Sequence, residues 1–271
     1  MSSSAAEMSS LYELQGYLTG VDVLEPSELR EAREAFAGLE EKFGTQYTQY
    51  SLHNIHLQHS WVMDLVKHGK LLEVVRSVLG PNVLLLDSRF ICKYPMEHKQ
   101  SDVILDEHNN ESGLQNGQDK EDNLPYVAWH QDMRYWGIDG GPVLSVWLAL
   151  DNSLEDNGAL RVIPGSHCSG LLPHRQSERP GNMLSVNQEI PEELVEAERA
   201  VLCPLLAGQM SIHDGLLVHA SDPNMSDRRR CGFVIRYVST SAYPIQDPDR
   251  PRSFPATLLV SGEDQYNHFS R

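Results

Sequence analysis

From residue 83 onward the apolar residues of this chain come in short runs closed by turn-forming clusters. That spacing leaves little room for anything but antiparallel strands. The runs Val83–Leu86, Val143–Leu150, Leu160–Ile163, Met210–Ile212 and Phe233–Val238 are rich in Val, Leu and Ile, the residue types that suit a pleated, buried surface. Between them stand Asp139-Gly140-Gly141-Pro142, Asp156-Asn157-Gly158 and Asp222-Pro223-Asn224, whose side chains favour tight turns. Because no helices alternate with these runs, a parallel βαβ layout is excluded and an antiparallel sandwich or barrel is expected. Helical periodicity lies upstream instead. Pro26-Ser27 reads as a helix start, followed by Leu29, Ala32, Phe36, Leu39 and Phe43 at helical spacing. A second helical stretch from about Trp61 to Leu79, broken near Gly69, is stopped by Gly80-Pro81. The expectation is a mainly β fold with flanking α-helices. Its helical region spans about 10–80 and its β core about 83–260, within one domain over 1–271.

Composition narrows the partners. With 22 Lys+Arg against 38 Asp+Glu the formal charge is −16, which disfavours nucleic acid or an anionic membrane as main partner. No stretch approaches the roughly 18 apolar residues of a membrane span. The start MSSSAAEMSS has neither a basic nor an apolar signal region, so a cytoplasmic protein is expected. Cys92, Cys168, Cys203 and Cys231 form no CxxC pair and read as free thiols. The segment 96–123 is almost wholly polar, which reads as a flexible insertion between two strands.

Chemistry concentrates in two places. Val127 to Trp136 contains His130-Gln131-Asp132. On a strand, residues two apart project to one face, so an imidazole and a carboxylate can meet one metal ion. Composition alone produces about one such triplet by chance. A second segment, from Ala207 to Asn224, supplies His213 and His219, followed by Arg228-Arg229-Arg230. Two histidines and one carboxylate on one metal face, with open positions left, is the arrangement of non-haem Fe(II) oxygenases. An arginine on the next strand can pair bidentately with the far carboxylate of a 2-oxo acid.

The ordered set HQD, then NGALRVIPGSH, then H-x-S-x-x-N with a following arginine, resembles the phytanoyl-CoA hydroxylase family of Fe(II)- and 2-oxoglutarate-dependent dioxygenases. That family includes ectoine hydroxylase and related halogenases. The resemblance covers nearly the whole chain apart from 96–123. It implies a double-stranded β-helix core, a cupin-like jelly roll. It also implies His130, Asp132 and His219 as iron ligands, with His213 a decoy six residues before the distal one. The family's co-substrate arginine falls eleven positions after that histidine, on Arg230, which leaves Arg236 a lesser candidate. Ser221 and Trp147 match residues near the co-substrate. Lys93, ending Ser88-Arg89-Phe90-Ile91-Cys92-Lys93, matches an ectoine hydroxylase lysine. His167 in the Pro164–His167 turn reads as structural.

The resemblance further implies that Fe(II), 2-oxoglutarate and O2 are used together, with 2-oxoglutarate decarboxylated to succinate and CO2. The halogenases replace the carboxylate ligand by a small residue to admit chloride. With Asp132 present, hydroxylation of an unactivated carbon is expected. Substrate candidates near the ligand strands are Arg134, Trp136, Asp87, Arg161 and His56, with His174 and Arg175 behind them. A chain this acidic offers no evident landing zone for coenzyme A phosphates, so a small polar or zwitterionic metabolite is the expected substrate. A protein-modifying hydroxylase and a silent metal-binding jelly roll are the alternatives.

Overall fold

The computed structural model describes residues 5–95, 124–247 and 252–269; the polar 96–123 segment lies outside them. The order begins α1 (Ala5–Gln15), β1 (Tyr17–Asp22), α2 (Pro26–Phe43), α3 (Thr45–Thr48), α4 (Ser60–Val66) and α5 (Gly69–Leu79). It continues through β2 (Val83–Lys93), β3 (Val127–His130), β4 (Ile138–Asp139), β5 (Leu144–Ala149), β6 (Leu160–Val162), β7 (Arg175–Gln176) and β8 (Gln188–Glu189). Last come β9 (Val201–Cys203), β10 (Gln209–Asp214), β11 (His219–Ser221), β12 (Arg230–Ser239), β13 (Tyr243–Pro244) and β14 (Leu258–Ser261). A six-stranded sheet runs β1-β10-β5-β12-β2-β14 and a four-stranded sheet runs β3-β11-β6-β9; β4 pairs with β13 and β7 with β8. Every strand pair within the two larger sheets is antiparallel, so the expected jelly-roll sandwich is present.

Each strand of the large sheet sorts its residues by parity. Leu144, Val146 and Leu148 of β5 point one way with Cys231, Phe233 and Ile235 of β12 and Phe90 and Cys92 of β2. There they join Phe36, Leu39, Val62, Leu71 and Val75 of the helices in the main core. Phe90 sits at its centre, stacked on Phe233 at 4.4 Å between ring centroids and tilted against Phe36 at 5.0 Å. The helices are cut to fit that face. At the start of α2 the Glu25 N–H donates to Glu28 at 2.8 Å, with Pro26 in the first turn, closing a helix N-terminus whose donors would otherwise be unmet. Its Ala32, Phe36 and Leu39 are buried. α5 stops at Gly80, where φ is +85°, a conformation that favours glycine.

Three features depart from the sequence expectation. The region expected to be helical contains β1, an edge strand paired with β10. Its six residues Tyr-Leu-Thr-Gly-Val-Asp are too short and too interrupted by glycine to show a period of two. The apolar run at Val83–Leu86 extends to Lys93, because Asp87, Ser88 and Arg89 continue the strand, Asp87 and Arg89 on the polar inner face and Ser88 on the helix side. Finally, His130 and Asp132 do not share a strand: β3 ends at His130, and Asp132 opens a short helical turn, Met133–Trp136, with φ −59° and ψ −37°.

Truncating Phe90 removes the ring that joins helices to sheet. Phe90→Ala is expected to cost about 3–5 kcal/mol, read as a lower midpoint in urea unfolding. A loss below 1 kcal/mol would show that the helices hold the sheet through other contacts.

Candidate active site

The opposite parity of the large sheet faces the small one, and it is polar. Register aligns His213, Ser145, Arg236 and Asp87 in one row across β10, β5, β12 and β2. A second row holds Ser211, Trp147, Val234 and Arg89. From the small sheet, β11 pairs His219 with His130 of β3. The turn after β3 carries Asp132 over Ser145.

His130, Asp132 and His219 are all buried, and one ligand atom from each lies within 4.8 Å of the others. The Asp132 Oδ1 oxygen lies 3.4 Å from His130 Nε2 and 3.9 Å from His219 Nε2. Both imidazoles are oriented by the backbone. His130 Nδ1 donates to the Ala128 carbonyl and His219 Nδ1 to the Leu217 carbonyl, each at 2.8 Å. A carbonyl only accepts, so the proton sits on Nδ1 and the Nε2 lone pair faces the cluster, as metal ligation requires. The other oxygen of Asp132 accepts from Ser145 Oγ at 2.6 Å, with Arg236 Nε 3.6 Å and His213 Nε2 3.5 Å away. One carboxylate oxygen is thus held by protein while the other is left for a ligand. Despite burial, the nearby Arg236 cation and the histidine contacts keep Asp132 ionised well below the usual carboxylate range, and burial keeps His219 neutral well below the usual imidazole range. An ionised carboxylate and neutral imidazoles are the metal-binding forms. Gln131, between the ligands, turns away. Its Nε2 donates to the Gly170 and Leu216 carbonyls and its Oε1 accepts from the Leu172 N–H, clamping two loops to the ligand strand.

A cavity beside these atoms is lined by Trp147, Ser221, Arg230 and Arg236 among others. Arg230 is buried, with Nε and Nη1 shut from solvent and lacking an acceptor among the described residues. Its guanidinium lies over the Trp147 ring at 4.8 Å. Burial lowers it to about 10, so it remains a cation at neutral pH. Trp147 can lie there only because its diagonal neighbour on β12 is Gly232: a Cβ on Gly232 would overlap the indole. A buried cation with unmet donors matches a carboxylate, so the residues present fit both a metal ion and a 2-oxo diacid.

The remaining sequence candidates divide. Lys93 is buried behind Ser221, donating to its Oγ at 2.6 Å, to its carbonyl at 3.2 Å and to the Asp222 carbonyl. It reaches the cavity only through Ser221. Asp87 and Trp136 line a neighbouring cavity with Arg236. Arg134 lines neither cavity, and Arg161 turns outward to Asp222 at 3.0 Å. His56 is used up in the fold, with Nδ1 2.6 Å from Ser88 Oγ and Nε2 3.4 Å from the Ala256 carbonyl. His174 Nε2 accepts from the Gln131 N–H and supports the ligand turn, whereas Arg175 pairs with Glu189 at the surface. His167 donates to the Glu13 carbonyl, away from the cluster. His213 is not remote: its ring lies 4.3 Å from that of His219, on the side of Asp132 that the ligand oxygen does not face. Sequence reasoning did not assign Tyr50, Arg89, Tyr135 or Ser145. The signal for Arg89 was present, two residues after Asp87 on the same inward parity.

An antiparallel jelly roll whose strands converge two imidazoles and a carboxylate is the architecture of the non-haem iron oxygenases. The phytanoyl-CoA dioxygenase (PhyH) family model matches residues 12–232, and the chain belongs to that family. It is 26% identical over 209 residues to a probable alpha-ketoglutarate-dependent hypophosphite dioxygenase of Stutzerimonas stutzeri, over 77% of this chain and 63% of that protein. It is 28% identical over 143 residues to L-proline trans-4-hydroxylase of Streptomyces griseoviridis, over 44% of this chain and 52% of that protein. The chain therefore matches less than two thirds of the length of these relatives. Among solved structures, the non-heme monooxygenase ThoJ in its apo form superposes with a TM-score of 0.70 at 28% identity, over 95% of this chain and 84% of that one. Among the described residues no helix is long and apolar enough to cross a membrane.

Two outcomes test this geometry. Gly232→Ala should displace Trp147 from Arg230, seen as a shift in tryptophan emission with near-native far-ultraviolet circular dichroism; an unchanged emission spectrum would contradict the packing. Burial lowers the pKa of His56, so on acidification the unfolded chain takes up a proton near pH 6.5 that the folded chain resists. Stability contributed by neutral His56 is present above that pH and lost as pH falls. His56→Gln should therefore flatten part of the acid-side fall in melting temperature, and an identical pH profile would count against it.

Proposed function

We propose that the protein is an Fe(II)- and 2-oxoglutarate-dependent dioxygenase that hydroxylates a carbon of a small polar metabolite. The observation that carries this reading is the pairing of the His130–Asp132–His219 cluster with the unmet Arg230 cation in one cavity. His130 Nε2, Asp132 Oδ1 and His219 Nε2 would hold the iron. Arg230 takes the far carboxylate of 2-oxoglutarate, steadied by the face of Trp147. Ser221 Oγ adds a polar contact, and Lys93 fixes its direction from behind. Bound iron and 2-oxoglutarate supply the oxidising power, with release of succinate and CO2.

The protein's own part is geometric and electrostatic. Ser145 holds Asp132 Oδ2, so that residue would offer a metal its other oxygen. With Asp132 filling that ligand position, a halide would lack the place that a small residue there would free, and hydroxylation is the expected outcome. Arg236 lies between Asp132 and Asp87 and balances both carboxylates. The small-metabolite reading draws support from the named substrates of two relatives, hypophosphite and L-proline.

The reading is tested with purified protein, Fe(II), 2-oxoglutarate and air. Succinate should form and should vanish in His219→Ala together with tight iron binding. Arg230→Ala should raise the dissociation constant for 2-oxoglutarate at least tenfold while iron binding persists. Unchanged 2-oxoglutarate affinity in that variant would move the co-substrate away from Arg230.

A further inference from the structure

A second cavity, of about 220 Å³, adjoins the first across Asp132 and Arg236 and reaches outward past Arg89, Tyr135 and Trp136. Its wall is short of acceptors. Among the described residues, Arg89 Nε and the Tyr135 hydroxyl are each shut from solvent with no hydrogen-bond partner, and Arg236 Nε has only Asp132 Oδ2, at 3.6 Å. Native proteins seldom leave buried donors unmet, yet all three residues line this one space.

The acids nearby do not relieve them. Asp87 is engaged on both oxygens, by Arg236 Nη1 at 3.4 Å and by His53 Nε2 at 3.0 Å. His53 is the donor in that contact, because its Nδ1 accepts from Arg89 Nη2 at 3.1 Å. Asp132 belongs to the metal cluster. Arg89 has no carboxylate within ion-pair distance among the described residues, and its guanidinium lies 4.1 Å above the Tyr50 ring. Arg236 is thus shared between both carboxylates, and Arg89 is left without one. Iron(II) and Arg230, less the two charges of 2-oxoglutarate, leave the pair of cavities with an excess positive charge. The rest of the wall is mixed: Leu184, Val186 and Trp136 give it an apolar stretch, beside Tyr50, His53 and Ser185.

We propose that this second cavity is the substrate site and that Arg89, Arg236 and Tyr135 receive an oxyanion, a carboxylate or phosphonate group, at one end of the substrate. The substrate's apolar body then lies along Trp136 and Leu184, with its reacting carbon on the Asp132 side. The inference rests on the oxygenase reading and adds the chemical class of the substrate to it. It also separates two roles that charge alone would merge: Arg230 serves the co-substrate, and Arg89 with Tyr135 serves the substrate.

The test is anaerobic calorimetric titration of the Fe(II)-loaded protein saturated with 2-oxoglutarate. Butyrate and propylphosphonate serve as probes, and butyramide is the uncharged comparison. At least one oxyanion is expected to bind ten times tighter than butyramide, and the better of the two names the head group. Tyr135→Phe and Arg89→Gln should each weaken that probe at least tenfold, with part of the loss recovered in Arg89→Lys. Because the Tyr135 hydroxyl has no partner in the free protein, Tyr135→Phe should melt no lower than the parent. That separates a binding role from a structural one. Equal binding of oxyanions and butyramide, or undiminished oxyanion binding in both variants, overturns the proposal while 2-oxoglutarate binding still supports the oxygenase reading. Failure of the parent to bind 2-oxoglutarate overturns that reading and the proposal with it.

Discussion

The two-residue period of the large sheet is the constraint on which everything else rests. β2, β5, β10 and β12 each send alternate residues to opposite faces, and the two faces do incompatible jobs. One is an apolar surface that α2, α4 and α5 cover. The other carries His213, Ser145, Arg236 and Asp87 side by side. A slip of one residue in β12 would turn Arg230 and Arg236 into the helix layer and Phe233 into the site. Burying two arginines among apolar side chains is prohibitively unfavourable, so the register that makes the core also makes the site.

Charge is arranged on that frame with similar economy. Asp132 would be costly to bury alone. It is kept ionised by Arg236, which shares itself with Asp87, and by the Ser145 hydroxyl. The arrangement leaves one oxygen of Asp132 and one lone pair on each of His130 and His219 without an internal partner, all directed to a single point. Arg230 follows the same pattern in the same cavity. Its charge is accommodated by an aromatic face and not by a carboxylate, so the pairing is left to an incoming ligand.

Much of this was legible in the sequence, for reasons that can be traced residue by residue. The apolar runs marked the strands because their buried parity is almost wholly Val, Leu, Ile and Phe. The clustered residues were legible because His130-Gln131-Asp132 is compact in sequence, although His130 ends a strand and Asp132 enters a helical turn. Gln131 fixes that exit through three hydrogen bonds to distant loops, which no local pattern reveals. Choosing Arg230 over its two neighbours needed a family resemblance; the structure shows Arg229 held by Asp151 and Glu40 and Arg228 paired with Asp156. His56 looked like a site residue and is a structural one, because its partners, Ser88 and Ala256, lie far from it in sequence. Tyr50 was passed over for the same reason, since the wall it forms with Arg89 is assembled only when the segment before α4 folds against β2.

The division of labour between the two sheets has a metric consequence. The metal cluster hangs from the small sheet, through β3 and β11, whereas Arg230 stands on the large one. On the proposed roles, the distance between the two ends of the co-substrate is therefore the thickness of the sandwich at that point. The fold acts as a fixed-jaw gauge: a dicarboxylate with a shorter chain than 2-oxoglutarate cannot touch both jaws, and a longer one must buckle between them.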